Sequence, residues 1–181
     1  MSTTTRLSEL TGDYVLDTDR TRIGFVARHT MATRVRGEFG EFEGGAYLDG
    51  DDPSKSRVRL TIQAGSIRTR NAQRDDYLRR TFLHVDDHPA LTFTSTGVKQ
   101  TGGTSFEVTG ALTIRGVSKL VTVDVELAGV EDDHGVRFKG GLTVNRNDWG
   151  VNWNAATTIM VSPTVTLELD VTAIRWAHSV R

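Results

Sequence analysis

The chain has 181 residues, 37% of them hydrophobic, and a formal net charge of −1. Its length favours one domain, and its near-neutral charge argues against a nucleic-acid partner, which would require a broad basic surface. The absence of cysteine excludes a disulfide framework, a thiolate metal site and a cysteine nucleophile.

Residues 1–11 are polar and are expected to form a flexible N-terminal segment, followed by a single domain over residues 12–181. This segment lacks the apolar core of a secretory signal, so we expect a cytoplasmic location. No apolar run reaches the roughly 20 residues that a membrane-spanning helix needs. We therefore expect no integral membrane segment.

The first clear strand covers residues 21–29, where apolar and polar residues alternate with a period of two. Glycines then interrupt the apolar pattern of residues 35–48. Phe39 and Phe42 are three positions apart, and strict alternation would place them on opposite faces. A β-bulge at Gly40 would bring both rings to the same face.

Residues 66–89 lose the period of two and predict one short helical insertion. Asn71 is a candidate helix N-cap, and Asp75 and Arg79 have the i,i+4 spacing of an ion pair. Pro89 disfavours helical geometry in the residue before it and ends the segment. We expect this helical insertion to cover one end of the fold.

The clearest pattern is a hairpin over residues 108–127, in which both strands have one apolar and one polar face. Similar alternation marks residues 57–64, 136–144 and 164–173. The whole pattern predicts an all-β fold, a single antiparallel barrel of about eight strands. Such a barrel is just filled by side chains or holds one small ligand. Gly110 and Gly140 fall in the inward rows, and we expect them to leave volume unfilled.

Several short motifs follow one another in a specific order and spacing. They are Tyr14 and Asp17; Ile23, Phe25 and His29; residues 35–39 with Gly44; Ser66, Ile67 and Thr69; Arg74, Asp75, Leu78 and Phe82; Pro89, Phe93 and Ser95; residues 110–119; and Arg146, Asp148 and Gly150. Together they resemble the YceI-like family of lipid-binding proteins. Arg20 and Thr21 stand where the family commonly has His-Ser, so no role of that histidine carries over.

The resemblance implies an extended lipocalin-like barrel with a long apolar tunnel that binds a polyisoprenoid, such as a polyprenyl pyrophosphate or an isoprenoid quinone. Many family members are exported to the periplasm, and because residues 1–11 do not resemble their leader, we expect a different compartment for this protein. An isoprenoid tail has no hydrogen-bonding groups, so its binding depends on burial of apolar area, worth roughly 25 cal/mol per Å². The candidate wall residues are Phe25, Phe39, Phe42, Leu78, Phe82, Phe93, Leu112 and Ile114, any of which could instead be ordinary core.

Polar and aromatic candidates complete the predicted ligand site. Arg74 could bind an anionic head group, because guanidinium matches phosphate geometry, or it could belong to a solvated face. His29 could hydrogen-bond the ligand or be a buried core histidine. Trp149 and Trp153 could plug the barrel mouth or contact the ligand. Arg146 is expected to form an ion pair with Asp148.

The leading hypothesis is a carrier or sequestering protein for a long isoprenoid lipid, without covalent chemistry, catalytic residues, metal or cofactor. His84 and His88 have the spacing of a helical metal pair, but Pro89 argues against that helix and no third ligand is evident. An enzyme acting on a lipid is an alternative, although no nucleophile motif surrounds Ser66 or Ser95. A structural or interaction protein with a filled barrel is another alternative. Edge strands could support a homodimer.

Overall fold

The computed structural model describes residues 6–29, 34–131, 135–151 and 161–176, and within them eleven β-strands form one antiparallel sheet. The strands are β1 (Gly12–Leu16), β2 (Arg22–His29), β3 (Arg34–Phe39), β4 (Phe42–Leu48), β5 (Arg57–Gln63), β6 (Ile67–Arg68), β7 (Ala90–Gln100), β8 (Ser105–Ile114), β9 (Val117–Val130), β10 (Gly135–Asn145) and β11 (Val161–Arg175). One helix, α1 (Ala72–Tyr77), continues into a π-helical turn over Leu78–Phe82.

Strand β11 closes the sheet into a barrel, because it pairs with β10 along one edge and with β1 and β2 along the other. Strands β1 and β2 lie end to end along β11. At the next position around the barrel, β3 pairs with β2 and β4 pairs with β1, so β3 and β4 also lie end to end. At the position after that, β6 pairs with β3 and β5 pairs with β4. Three of the eight positions around the barrel are therefore interrupted strands. The predicted all-β barrel of about eight strands is confirmed.

The break between β1 and β2 is held by polar contacts to β11. The Thr172 amide donates to Oγ1 of Thr21 at 3.1 Å, and the Thr21 hydroxyl donates to the Thr172 carbonyl at 3.3 Å. Next to it Nε of Arg20 donates to the Asp17 carboxylate at 2.6 Å, which lowers the pKa of Asp17. The two residues that depart from the family pattern, Arg20 and Thr21, thus secure this break.

The predicted bulge at Gly40 is instead a break between two strands, since β3 ends at Phe39 and β4 begins at Phe42. The Gly40 amide donates to the Ser66 carbonyl at 3.1 Å. Ser66 lies in the short turn that separates β5 from β6. The neighbouring positions are therefore interrupted at the same height of the barrel.

Hydrophobic residues of the predicted hairpin face the barrel interior, as the period of two requires. Val108 and Leu112 on β8 and Val123 on β9 are buried. The helix begins where the sequence predicts, because Oδ1 of Asn71 accepts a hydrogen bond from the Arg74 amide at 3.0 Å. Within the described ranges, no helix is long and apolar enough to cross a bilayer.

Candidate functional site: an apolar cavity inside the barrel

The barrel encloses a cavity of about 550 Å³ whose wall consists almost entirely of aliphatic and aromatic side chains. This volume lies within the roughly 300–1,000 Å³ that is typical of small-molecule sites. The lumen is therefore not filled by the protein's own side chains. This observation contradicts the alternative of a filled structural barrel.

Most of the predicted wall residues line this cavity. They are Phe25, Phe39, Leu78, Phe82, Phe93, Leu112 and Ile114. Phe42 is half-buried and packs against the adjoining core, but it does not line the cavity in the described structure. The wall also includes residues that the sequence analysis left as ordinary inward positions, such as Val123, Phe138 and Leu167. The period-two alternation in the sequence indicates that these residues point inward, and only the closed barrel shows that they face free volume.

The prediction that inward glycines leave free volume has different outcomes at the two positions, since Gly140 lines the cavity whereas Gly110 does not line it in the described structure. A Cβ at Gly110 would lie 2.6 Å from Cζ of Phe93, and a Cβ at Gly140 would lie 2.3 Å from the Asp124 carbonyl oxygen. Both glycines allow a close approach between neighbouring strands, which is a common reason for glycine inside a strand. The cavity also lies against short aliphatic side chains such as Val121.

The lid segment, which we define as residues 72–83, lines one end of the cavity through Arg74, Tyr77, Leu78, Phe82 and Leu83. The Tyr77 and Phe82 rings meet edge to face, with centroids 6.3 Å apart. Nε of Arg79 donates to the Gly65 carbonyl at 2.8 Å. This contact fixes the lid segment to the turn between β5 and β6.

Arg79 does not pair with Asp75, contrary to the predicted i,i+4 ion pair. Asp75 is buried and accepts hydrogen bonds from the amide of Thr69, at 2.9 Å, and from its hydroxyl. The carboxylate therefore ties the lid segment to Thr69, the residue that follows β6. Nη1 of Arg79 lies 3.0 Å from the Asp76 carboxylate instead.

Two guanidinium groups line the cavity at this lid end. Arg74 is half-buried and donates to the hydroxyl of Thr69 at 2.8 Å and to its carbonyl at 2.7 Å. Arg146 is only 6% exposed, donates to the Val151 carbonyl at 2.7 Å, and has its Cζ 5.7 Å from the centroid of the Phe82 ring. Burial lowers the pKa of Arg146, because the charged form loses hydration.

The expected ion pair between Arg146 and Asp148 is wrong. Arg146 points into the cavity, whereas Asp148 is exposed. Arg146 is thus a candidate site residue that the sequence analysis missed, since its position near a carboxylate in the sequence suggested a local partner. Charged side chains are rarely buried unless they are paired, and Arg146 combines a hydrogen bond to the Val151 carbonyl with a place in the cavity wall.

Trp149 lies behind the wall, only 3% exposed, and its Nε1 donates to the Leu112 carbonyl at 2.9 Å. It does not line the described cavity. The side chain of His29 and the whole of Trp153 lie outside the described part of the chain. In that part, no group of three or more His, Asp or Glu side chains is placed to hold a metal ion.

A closed antiparallel barrel around an apolar cavity, with two arginines at one end, is the architecture of a lipocalin-like ligand-binding protein. The family profile of the YceI-like domain matches residues 14–173. The chain belongs to this family.

Relatives and solved structures agree with the assignment. A UPF0312 protein of Pseudomonas aeruginosa is 35% identical over 173 residues, which cover 92% of this chain and 88% of that protein. A YceI protein of Campylobacter jejuni is 26% identical, with a TM-score of 0.72 over 80% of this chain and 87% of that one. BcnA of Burkholderia cenocepacia is 23% identical and has a TM-score of 0.81 over 87% of this chain and 98% of that one.

A polyisoprenoid-binding domain from Saccharophagus degradans shares the fold. It has a TM-score of 0.72 and is 14% identical, and the similarity covers 90% of this chain and 98% of that domain.

Proposed function

We propose that this protein binds one long-chain isoprenoid lipid, a polyprenyl pyrophosphate or an isoprenoid quinone, inside the barrel and carries or sequesters it. The observation that supports this proposal most is the continuous apolar wall around a cavity of about 550 Å³. A hydrocarbon tail matches such a wall because each square ångström of buried apolar area contributes roughly 25 cal/mol. The polyisoprenoid-binding domain with the same fold supports the same class of ligand.

The arrangement of polar groups orients the lipid. Arg74 and Arg146 line the lid end of the cavity, and guanidinium groups bind phosphate oxygens through paired, charge-assisted hydrogen bonds. A quinone carbonyl could accept from the same donors. At the opposite end the lining carboxylate, Asp49, accepts hydrogen bonds from the amides of Asp51 and Asp52 within its own turn. The head group therefore lies at the lid end and the tail runs along the lumen.

Among the described residues, the hydroxyl groups considered for an enzyme provide no support for catalysis. The two hydroxyls considered for an enzyme both have structural hydrogen bonds, since Ser66 donates to the Gln63 carbonyl at 2.6 Å and Ser95 accepts from the Val58 amide at 2.8 Å. We therefore propose binding without a covalent step. Carrier action, a homodimer and a cytoplasmic location stay predictions.

The proposal is tested by loading purified protein with geranylgeranyl monophosphate or with an isoprenoid quinone of the same tail length, followed by native mass spectrometry. Wild-type protein is expected to gain the mass of one lipid per chain. Leu167→Trp places an indole ring in the lumen and should abolish loading, because Leu167 lines the cavity.

Leu120→Trp is the matched control, since Leu120 is 70% exposed and the same bulk would then lie outside the barrel. This control should load like the wild type. The proposal is wrong if the wild-type protein takes up neither lipid. It is also wrong if Leu167→Trp loads as well as Leu120→Trp.

A further inference from the structure

We infer that the N-terminal turn, Leu7–Leu10, closes the end of the lumen opposite the lid and limits the length of the isoprenoid tail that the barrel accepts. This inference rests on the proposed lipid-binding function. It assigns a role in ligand selection to a segment that precedes the first barrel strand and that sequence analysis predicts to be flexible.

The N-terminal turn contributes directly to the cavity wall through Leu7 and Leu10. Leu10 is only 7% exposed and packs with Tyr14, Val136 and Ala173 in a hydrophobic cluster that is separate from the main core. Leu7 packs against the same cluster. A tail that extends from the lid end along the lumen would therefore meet leucine side chains from outside the sheet.

Specific contacts hold the N-terminal turn in place. The buried Tyr14 hydroxyl donates to the Leu10 carbonyl at 2.8 Å, and the guanidinium of Arg175 donates to the Glu9 carbonyl. Strands β1 and β11, which carry these two donors, pair with each other. The turn is thus anchored at the seam where the barrel closes.

The loop after β4 provides a second anchor. The Gly50 amide donates to Oγ1 of Thr11 at 2.9 Å. A Cβ at Gly50 would lie only 1.7 Å from the Leu7 carbonyl oxygen, so any side chain there would push the turn away. The backbone of the N-terminal turn therefore fits against this glycine.

A closed end and a head-group site at the other end together define a fixed length. Because the arginines hold the head group at the lid end, a tail that exceeds this length cannot be buried completely. Each isoprene unit that is buried in the lumen is expected to increase the affinity roughly tenfold or more, and a unit that stays outside the lumen adds no such increase. Affinity should thus rise with tail length and then stop rising.

The test measures the affinity of the full chain for a series of all-trans prenyl monophosphates, from geranylgeranyl to decaprenyl, by displacement of a fluorescent fatty acid. Wild-type protein is expected to show a plateau at a defined tail length. The double variant Leu7→Ala/Leu10→Ala should move the plateau to longer tails. Gly50→Ala should do the same without removing apolar side chains from the wall.

Leu120→Ala is the control on the outer surface and should keep the wild-type plateau. Leu7→Ala alone, at a half-buried position, provides a milder change if the double variant fails to fold, which a melting curve would show. An unchanged plateau in the folded variants overturns the inference while lipid binding stands. Failure of the wild-type protein to bind the whole series instead refutes the proposed function.

Discussion

Two valines provide a direct test of the free volume in the barrel, because the same substitution should have different costs at the two positions. Val123 on β9 and Val136 on β10 are both buried, at 6% and 0% exposure. Val123 lines the cavity, whereas Val136 does not line it in the described structure and packs with Leu10, Tyr14 and Ala173. We compare Val123→Ala with Val136→Ala in lipid-free protein.

At Val136 the loss of two carbon atoms removes about 1.6 kcal/mol of transfer free energy, and the hole left in a packed cluster raises the total to roughly 2–3 kcal/mol. At Val123 part of the side chain already faces empty space, so the expected loss is about 1 kcal/mol. For a chain of this size, each kcal/mol of unfolding free energy that is lost lowers the melting temperature by about 2–4 °C. The Val136 variant should therefore melt about 2–8 °C below the Val123 variant.

Urea unfolding measures the loss of unfolding free energy in each variant, and calorimetry measures the difference in melting temperature. Equal losses of stability in lipid-free protein would mean that Val123 is as closely packed as Val136 and that it does not face free volume. After loading with lipid, the difference should shrink, since a bound tail contacts only the Val123 side chain. A lipid that binds only the folded protein raises its unfolding free energy, and this increase grows with the ratio of free lipid concentration to dissociation constant.

Three further predictions concern charge and the lid segment. Arg146→Met should weaken binding of a prenyl monophosphate more than binding of the matching prenyl alcohol in the displacement assay, and equal weakening would contradict the head-group site. Phe82→Ala should lower the unfolding free energy by roughly 2–3 kcal/mol, less than the roughly 3–5 kcal/mol of a closely packed phenylalanine, because Phe82 also lines the cavity; urea unfolding measures this loss, and a loss below about 1 kcal/mol would show that the lid segment is not packed on the barrel. Arg137 donates to Asp170 at 2.7 and 2.8 Å and lowers the pKa of that carboxyl. Its stabilisation is therefore present above the ordinary aspartate pKa and lost as the pH falls through the folded-state pKa. Asp170→Asn should lower the urea midpoint at pH 7 but not at low pH, where an undiminished difference would contradict the pair.

The sequence predicts the parts of this fold that depend on local patterns. The alternation over residues 108–127 identifies the paired strands β8 and β9, because side-chain direction in a strand depends only on its period. Asn71 identifies the start of the helix, because an N-cap acts on an amide three residues away. Both signals are short-range, and both predictions are confirmed.

The parts that depend on distant contacts could not be predicted in this way. Arg146 was assigned a neighbour in the sequence, but it lies against Phe82 of the lid segment. Gly110 was expected to leave space, but that space is occupied by the Phe93 ring of the neighbouring strand. The anchoring of Leu10 by Tyr14 and its packing against Val136 depend on the closure of the barrel. No composition or periodicity signal contains that information.

A crystal structure of the protein loaded with geranylgeranyl monophosphate would show whether the lumen holds the tail of an isoprenoid lipid. We expect continuous density for one hydrocarbon chain inside the barrel, with the phosphate beside Arg74 and Arg146 and the tail directed toward Leu10. A loaded crystal in which the lumen is empty, or in which the lipid lies on the outer surface of the barrel, would contradict this expectation.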